Sequence, residues 1–287
     1  MHKLSFVDHR RSLLQNRYIY AVVSRRAKGL SIGINLNPDK SCNFDCPYCQ
    51  VDRTTPGGDR NVDVSILTRE LHHLFSLIHE GKLWSIEPFN TASPEMQIVR
   101  DISFSGDGEP CSAKEFGSVV QVVAQLREEF SLSHVRYQLL SNATLFHKSR
   151  VQKALKDFWN SDGMIWAKLD AGTEPWFHKV DGTKIPFQRI LDNILWAGKQ
   201  APITLQSMFH RFGTQEPSVE EIDAWGERIL TLIEQGAQIA KVQIYSTARQ
   251  PSDPSVRPLS KEKLEVIGVS LKEKLKEHPL FSQVRVY

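Results

Sequence analysis

The sequence predicts an α/β protein built on a parallel β-sheet. Two observations carry this prediction: strand-like apolar runs recur along the chain, and segments with apolar residues at helical spacing separate them. Alternation of strand and helix favours parallel strands, because a right-handed helical crossover returns each new strand beside its neighbour. Six such units form either an open barrel or a doubly wound sheet.

The elements follow one another in a regular order. Strands are predicted at 30–36, 98–104, 136–140, 164–169, 203–209 and 241–245. Helices are predicted at 63–80, 115–130, 149–159, 185–199 and 219–235, and a helix at 260–277 and a strand at 281–287 close the chain. The polar, proline-containing stretch 84–97 interrupts the alternation. We expect it to be a surface loop, with a substrate lid as the alternative.

Length and composition exclude several classes of protein. The 287 residues are 40% hydrophobic and 24% charged, close to the averages for soluble globular proteins, so disorder and coiled coil are poor fits. We predict one domain over 1–287, with a core at about 30–250, an N-terminal extension at 1–29 and a C-terminal helix and strand at 258–287.

The sequence also predicts a cytoplasmic protein with no membrane partner. No run approaches the roughly 18 apolar residues of a membrane span, and the N-terminus MHKLSFVDHRRSLL lacks a signal-peptide core. Four cysteines, three of them clustered, favour a reducing compartment. The net charge of +3, with basic runs at His9 to Arg11 and Arg25 to Lys28, is typical of solvated surface and identifies no substrate.

The clustered cysteines lie in the segment SCNFDCPYCQ, residues 41–50, as Cys42, Cys46 and Cys49. They directly follow the first predicted core strand, at the edge where parallel sheets bind ligands. A closed zinc site needs four ligands, commonly in paired CxxC units, and only Cys111 remains to supply another thiolate. Three thiolates on an iron–sulfur cubane instead leave one iron open to an external ligand.

Polar and glycine-rich segments follow the later strands in the same way. They are SGDGEP at 105–110, Ser141 and Asn142, KLDAG at 168–172, Gln206 and Ser207, and Tyr245 to Thr247. The carboxyl ends of parallel strands meet at one edge of a sheet. We therefore expect these segments at the same edge as the cysteines.

The spacing CxxxCxxC, here C-N-F-D-C-P-Y-C, together with these segments resembles the radical S-adenosylmethionine (SAM) superfamily. The resemblance covers about residues 30–250 and implies a partial (β/α)6 TIM-like barrel, with the cluster at the C-terminal edge of the strands. It implies one 4Fe-4S cluster on Cys42, Cys46 and Cys49, whose open iron binds SAM. An electron from the cluster then cleaves SAM to a 5′-deoxyadenosyl radical, which abstracts hydrogen from a substrate.

The resemblance further implies which residues bind SAM. Glycine backbone approaches the methionyl part, Glu109 accepts from the ammonium, and Asp170 accepts from ribose hydroxyls. The full set is Tyr48, Gly106, Asp107, Gly108, Glu109, Ser141, Asn142, Lys168, Asp170, Gln206 and Tyr245. No residue is assigned as the catalytic acid or base. Cys111 is expected outside the cluster, since a fourth thiolate would block the iron that binds SAM.

Several of these residues also suit a structural role. Ser141 and Asn142 equally fit the capping of the next helix. Lys168 and Asp170 alternate with Leu169 and so face the same side of a strand, which also fits a buried ion pair. For Tyr48, a core aromatic is the alternative to a contact with the adenine.

Within the superfamily, the order G-x-G-E-P, S-N and K-L-D-A-G-T-E-x-x-F-x-K is most similar to the iron–sulfur oxidoreductases related to tRNA wyosine-base synthases. Mixed charge in the loops 84–97, 173–184 and 249–257 favours a small-molecule or peptide substrate, with Trp176, His178 and Lys179 as candidate contacts. A tRNA or other RNA base is the alternative substrate, and a non-catalytic redox or sensor module is a second alternative. The resemblance also implies an electron donor such as flavodoxin or ferredoxin.

Overall fold

The computed structural model describes residues 16–24, 28–249 and 251–287. The basic runs at 9–11 and 25–27 lie outside the described residues. The chain divides into two compact units. Unit 1 comprises Met1–Ser41, Pro56–Leu140 and Lys148–Met164, and unit 2 comprises Cys42–Thr55, Ser141–His147 and Ile165–Tyr287. The single-domain organisation stays a prediction.

Unit 1 is a parallel sheet with helical crossovers. Its strands are β1 (Ile19–Ser24), β2 (Gly29–Ile34), β3 (Val99–Phe104) and β4 (Arg136–Ser141), and its helices are α1 (Val64–His79), α2 (Phe116–Glu129) and α3 (Ser149–Asn160). Strands β2, β3 and β4 are parallel, and β1 is antiparallel to β2. Sequence reasoning missed β1, because a hairpin strand of six residues carries no helical crossover to mark it.

The core of unit 1 is aromatic and packs the helices onto the sheet. Phe104 lies edge-on to Phe116 of α2 at 5.4 Å between ring centroids, and Tyr137 lies 4.5 Å from Phe158 of α3. The buried face of α2 includes Val119, Val120 and Val123, as its helical spacing predicts. These contacts fix the strands whose carboxyl ends carry the loops described below.

The stretch 84–97 is irregular. A short 3-10 turn at Lys82–Ser85 overlaps its start, and two more lie within it, at Phe89–Thr91 and Pro94–Met96. Phe89 is buried, while most of its neighbours are partly or fully exposed. The segment is therefore a surface loop anchored by one aromatic side chain.

Unit 2 continues the same alternation. Its parallel strands are β5 (Gly163–Lys168), β6 (Ile203–Met208), β8 (Ile239–Tyr245) and β10 (Val284–Val286), paired in that order. Its helices are α4 (Glu174–Val180), α5 (Phe187–Gln200), α6 (Val219–Glu234) and α7 (Lys261–Lys274). A separate antiparallel pair joins β7 (His210–Phe212) to β9 (Val256–Pro258).

The predicted alternation of strands and helices is confirmed, and the fold is α/β with mostly parallel strands. Each of the six predicted core strands is present as β2, β3, β4, β5, β6 and β8. Helix α4 lies where a loop was predicted, since Pro175 at its first turn and its seven-residue length obscure the helical pattern. Among the helices of the described residues, none is long and apolar enough to cross a membrane.

Candidate functional site

The three clustered cysteines lie together on one irregular loop of unit 2. Cys42, Cys46 and Cys49 are each partly exposed, and none of them forms a disulfide. Cys111 belongs to unit 1 and is fully buried. Within the described residues, no group of three or more His, Cys, Asp or Glu side chains is already arranged around a metal position. The donor set of three accessible thiols fits an iron–sulfur cluster, whose binding couples to the ordering of its ligands.

Backbone contacts hold this cysteine loop. The Cys49 amide donates to the Cys46 carbonyl at 2.8 Å, which closes a turn between two of the thiols. The Ser252 amide donates to the Cys49 carbonyl at 2.8 Å, and the Asp253 amide donates to the Pro47 carbonyl at 3.2 Å. The segment after β8, predicted as a substrate loop, therefore also supports the cysteines.

The loop after β4 gives a second support through side-chain amides. The Asn142 Nδ2 donates to Asn43 Oδ1 at 2.7 Å, and Asn43 Nδ2 donates to Thr144 Oγ1 at 2.5 Å. Asn142 Oδ1 also accepts from the Thr144 amide, and Ser141 Oγ accepts from the Ala143 amide at 3.0 Å. Ser141 and Asn142 thus shape a tight turn and position the residue after Cys42. Their contact with SAM stays a prediction.

The turn after α4 packs directly on the cysteine loop. The Asp45 amide donates to the Asp181 carbonyl at 3.2 Å, and Cys46 Sγ lies 3.6 Å from Asp181 Oδ1. Gly182 has φ of 56°, and a Cβ there would lie 2.0 Å from the Asp45 carbonyl oxygen. Only glycine fits this position, since it combines left-handed backbone with a close approach. Burial first, and then the charge of Asp181, raise the pKa of the Cys46 thiol.

A cation lies against the last cysteine of the motif. Arg53 Nη1 donates to Cys49 Sγ at 3.2 Å. Partial burial lowers the pKa of Arg53, but the hydrogen bond and charge of Cys49 outweigh it, so the pKa is raised. Arginine is charged at every physiological pH, so this loop places a permanent positive charge beside Cys49.

A buried polar network lies beside the loop. Lys168 Nζ is 3.1 Å from Asp170 Oδ2 and 3.1 Å from the Tyr245 hydroxyl. The Tyr48 hydroxyl donates to Asp170 Oδ2 at 2.5 Å, and its oxygen lies 3.0 Å from Asp181 Oδ1. Lys168 also lies 4.9 Å from the centre of the Tyr48 ring. One lysine, two carboxyl groups and two tyrosines are thus joined next to Cys46.

The network sets the protonation of its members. Burial, and then the charge of Asp170, raise the pKa of Asp181 well above its usual range. The Tyr48 hydroxyl has a single proton, which it shares between two acceptors, Asp170 Oδ2 at 2.5 Å and Asp181 Oδ1 at 3.0 Å. Burial lowers the pKa of Lys168, but the charge of Asp170 outweighs it and the pKa is raised. The charged pair is therefore Lys168 with Asp170.

Asp170 is satisfied entirely by protein groups in this arrangement. Its side chain has no exposed surface, and its Oδ1 accepts from the Met208 amide at 2.8 Å while Oδ2 accepts from Tyr48 and Lys168. The structure thus shows the buried ion pair that the sequence left open as an alternative. The contact between Asp170 and the ribose of SAM stays a prediction. It would use the lone pairs of the Asp170 carboxylate that no protein group occupies. Tyr48 is buried and likewise serves the core.

In unit 1, the glycine-rich segment after β3 folds against the loop after β2. Asn35 Nδ2 donates to Asp107 Oδ2 at 2.6 Å, and Asn35 Oδ1 accepts from the Asp107 amide. A Cβ on Gly106 would lie 2.2 Å from Asn35 Oδ1, and one on Gly108 would lie 2.0 Å from the Ser41 carbonyl. The two glycines are thus required by this packing. The segment directly supports the residue that precedes Cys42 in the sequence.

Two more predicted SAM residues have protein partners. Glu109 is buried and its carboxylate accepts from the Cys111 amide at 3.1 Å, which starts a short 3-10 turn. Gln206 is buried and its Nε2 donates to Gln243 Oε1 at 3.1 Å. These contacts orient both side chains, and their roles toward SAM stay predictions.

The candidate substrate contacts lie on α4. Lys179 Nζ lies 5.1 Å from the Trp176 ring centre and 4.6 Å from that of Phe212. His178 Nδ1 is 2.7 Å from the Thr183 carbonyl, so this ring is held by its own loop. Trp176 and Lys179 form a cation–π surface next to β7.

Sequence reasoning missed His210, which lies two residues beyond the end of β6. Its ring is 5.2 Å from Tyr48 and 4.9 Å from Phe212, and only 1% of the residue is exposed. A single histidine after an apolar strand is indistinguishable from an ordinary core histidine in the sequence alone. Its surroundings are visible only in the fold.

The curated relatives match just over 60% of this chain. No protein-family model matches. The chain is 25% identical over 178 residues to a UPF0026 protein of Helicobacter pylori strain J99, which covers 62% of this chain and 49% of the relative. It is 23% identical over 187 residues to a protein named GTPase Obg of Brachyspira hyodysenteriae, and the match covers 64% of this chain and 24% of that relative. The chain thus spans half or less of the length of these relatives.

Solved structures match over more of the chain. A radical SAM methyltransferase from Sphaerobacter thermophilus matches with a TM-score of 0.61 and 11% identity, over 93% of this chain and 68% of that one. The chain therefore shares the fold of that methyltransferase. SuiB of Streptococcus suis bound to S-adenosylmethionine matches with a TM-score of 0.57 and 10% identity, over 92% and 52%. TYW1 with a lysine–pyruvate adduct matches with a TM-score of 0.52 and 14% identity, over 86% of this chain and 74% of that one. The predicted barrel-like class with parallel strands is confirmed.

Proposed function

We propose that this protein is a radical SAM enzyme that uses one 4Fe-4S cluster held by Cys42, Cys46 and Cys49. One observation carries the proposal: three accessible thiols lie on a single supported loop at the carboxyl end of β2, in a chain with the radical SAM fold. Cys111, the fourth thiol, is fully buried and lies in a separate 3-10 turn. Three ligands leave one iron for SAM.

When bound, such a cluster supplies the electron that cleaves SAM to methionine and a 5′-deoxyadenosyl radical, which takes hydrogen from the substrate. The chain's own residues prepare the site for that chemistry. Contacts from Ser252, Asp253 and Asn142 hold the loop, and the turn at Gly182 packs behind Cys46. This support matters because misplacing reacting groups by about 1 Å can cost a hundredfold in rate.

The charges beside the loop also suit a site that handles an anionic cofactor group. Lys168 is held charged by Asp170, and Arg53 donates to Cys49. SAM carries a carboxylate, an ammonium and a sulfonium, so a site for it needs both acceptors and donors. The roles of Glu109 toward the ammonium and of Asp170 toward the ribose belong to this proposal and rest on the resemblance of their motifs.

For the substrate we favour a small molecule or a peptide residue. The loop 173–184 carries Glu174, His178, Lys179 and Lys184, a mixed charge that suits a compact polar molecule better than a phosphate track. RNA base modification is the second candidate, supported by the motif order and by the fold likeness to TYW1. The proposal includes an external one-electron donor such as flavodoxin or ferredoxin.

The cluster and its reaction are tested together by anaerobic reconstitution. We expect about four iron and four sulfide per chain, because three thiolates and one exchangeable position suit a cubane. Addition of dithionite and SAM is expected to yield 5′-deoxyadenosine, measured by liquid chromatography. Stoichiometric zinc without visible charge-transfer absorbance would contradict the cluster. A full cluster that yields no 5′-deoxyadenosine would favour the redox or sensor module instead.

The substrate class is tested in the same assay. We expect 5′-deoxyadenosine formation to be unaffected by cellular tRNA at about 50 mM and at about 200 mM salt, a range over which binding through phosphate contacts weakens steeply. Stimulation by tRNA that falls steeply between those two salt concentrations would instead assign an RNA substrate. Small-molecule and peptide fractions provide the parallel arm.

A further inference from the structure

His210 is a buried histidine without a hydrogen-bond partner. Only 1% of the residue is exposed, and neither Nδ1 nor Nε2 has a hydrogen-bond partner among the residues that the structure describes. Buried polar side chains nearly always have a partner, and a group that lacks one raises the question of a ligand. Water can satisfy such a group too, and the experiment below separates a ligand role from a structural one.

A second buried group on the neighbouring strand shows the same property. Thr247 Oγ1 is buried and has no partner among the described residues. Strands β6 and β8 pair in parallel with Met208 opposite Tyr245, so His210 and Thr247 each lie two residues past the paired strand ends. Two unsatisfied polar groups therefore follow adjacent strands at the same level, at the edge where parallel sheets bind ligands.

The surroundings of His210 indicate what it can bind. Burial, together with the charges of Lys168 and Lys179, lowers the pKa of His210 to about 4, although the charge of Asp170 raises it. The ring is therefore neutral near pH 7, with one donor and one acceptor nitrogen. The rings of Tyr48 and Phe212 lie against it at 5.2 Å and 4.9 Å.

We propose that His210 is a ligand contact that hydrogen-bonds a planar, uncharged polar group, such as a heterocyclic base or an amide. A neutral imidazole offers no charge to attract a phosphate or carboxylate, and the flanking aromatic rings favour a flat partner. His210 lies beside the cysteine loop, because its ring contacts Tyr48, which stands between Cys46 and Cys49 in the sequence. The proposal therefore rests on the proposed function, in which this loop holds the cluster. The adenine of SAM and a planar group of the substrate are the two sources of this chemistry.

The test replaces His210 with phenylalanine, and with glutamine as the variant that keeps a donor and an acceptor. His210→Phe removes no protein hydrogen bond, so we expect the melting temperature of the cluster-free protein to stay the same or rise. Binding is followed by thermal shift with a fixed panel: S-adenosylhomocysteine, adenosine, cytidine, nicotinamide and a glutamine dipeptide. We expect at least one compound to bind the wild type roughly tenfold more tightly than His210→Phe, with partial recovery in His210→Gln.

The panel separates the sources. Weaker binding of S-adenosylhomocysteine and adenosine alone assigns His210 to SAM, and weaker binding of another compound assigns it to the substrate. Equal binding of every compound by wild type and His210→Phe would overturn the proposal, as would a fall of several degrees in the melting temperature with binding unchanged. Failure of the proposed function shows differently, as a wild type that assembles no cluster.

Arg53 carries a second, independent inference. Its Nη1 lies 3.2 Å from Cys49 Sγ, and Arg53 is an exposed residue four positions after that cysteine. Hydrogen bonds to the sulfurs and nearby charge are among the factors that set the reduction potential of an iron–sulfur cluster. A positive donor at this position favours the reduced cluster, which carries one more negative charge.

We infer that Arg53 raises the reduction potential of the cluster by donating to Cys49. This inference also rests on the proposed function. The test compares Arg53→Lys and Arg53→Gln with the wild type by dithionite titration followed by electron paramagnetic resonance. With iron content unchanged, we expect Arg53→Gln to be harder to reduce, and Arg53→Lys to lie between, because lysine keeps the charge but not the planar donors.

An unchanged potential in a fully loaded Arg53→Gln protein would overturn this inference. Loss of the cluster from both variants would overturn it too, since Arg53 would then be a support for the loop and not a group that tunes the cluster. The matched control is Arg249→Gln. The Arg249 backbone carbonyl, which this substitution keeps, accepts from Gln50 Nε2. We expect this variant to leave the reduction potential unchanged. A wild type without a cluster would instead count against the proposed function.

Discussion

Alanine at Cys42, Cys46 or Cys49 is expected to remove iron almost completely from the reconstituted protein, while Cys111→Ala retains it. Each of the three thiols is accessible on the loop and is one of only three thiolates that the loop offers. A cubane held by two thiolates loses its anchoring, because structural metal binding depends on the full ligand set. Iron and sulfide assays after anaerobic reconstitution, with the visible spectrum, measure the outcome.

Cys111 is the matched control because it is a thiol in the same chain with different surroundings. It is fully buried, so alanine leaves a small void and we expect a fall in stability of about 1 kcal/mol without loss of iron. Thermal unfolding of each variant separates this effect from cluster loss. Iron loss from Cys111→Ala at unchanged melting temperature would mean that Cys111 is a ligand and that no iron remains open for SAM.

The sequence was informative where a pattern repeats over many residues. The period of apolar residues in α2 and the apolar runs of β3 and β6 predict those elements, because burial on one face imposes the period. It was uninformative for α4, β7 and β9, which are short, and for β1, which no helical crossover marks. A strand of three residues such as β7 shows no period, and it pairs with β9 across more than 40 residues of sequence, a long-range contact that local patterns do not reveal.

The candidate site divides in the same way. The cysteine spacing lies within eight positions and is legible in the sequence, as is the placement of Lys168 and Asp170 on one side of a strand. The hydrogen-bond partners of Asp170 could not be predicted from the sequence, since Tyr48 and Met208 approach it from distant parts of the chain. The missing partners of His210 are equally a property of the fold, because a sequence records which groups exist and not which remain unpaired.

Asp170→Ala is expected to lower the stability of the protein by about 3–5 kcal/mol, the range for breaking a buried ion pair. The substitution removes the acceptor of Tyr48, Lys168 and the Met208 amide, and it leaves the ammonium without its carboxylate. For a chain of this size the expected fall in Tm is roughly 10 °C. Thermal and urea unfolding of the cluster-free protein measure it without interference from SAM.

A double-mutant cycle then decides how much of this loss belongs to the ion pair. Lys168→Met keeps the length of the side chain and removes its charge, and we expect Lys168→Met with Asp170→Ala to be less destabilised than the sum of the two single variants, by about 1–3 kcal/mol. The reason is that the second substitution removes the charge that the first left buried and unpaired. Additive losses would show that the two side chains do not stabilise one another. The loss on Asp170→Ala would then come from its bonds with Tyr48 and the Met208 amide.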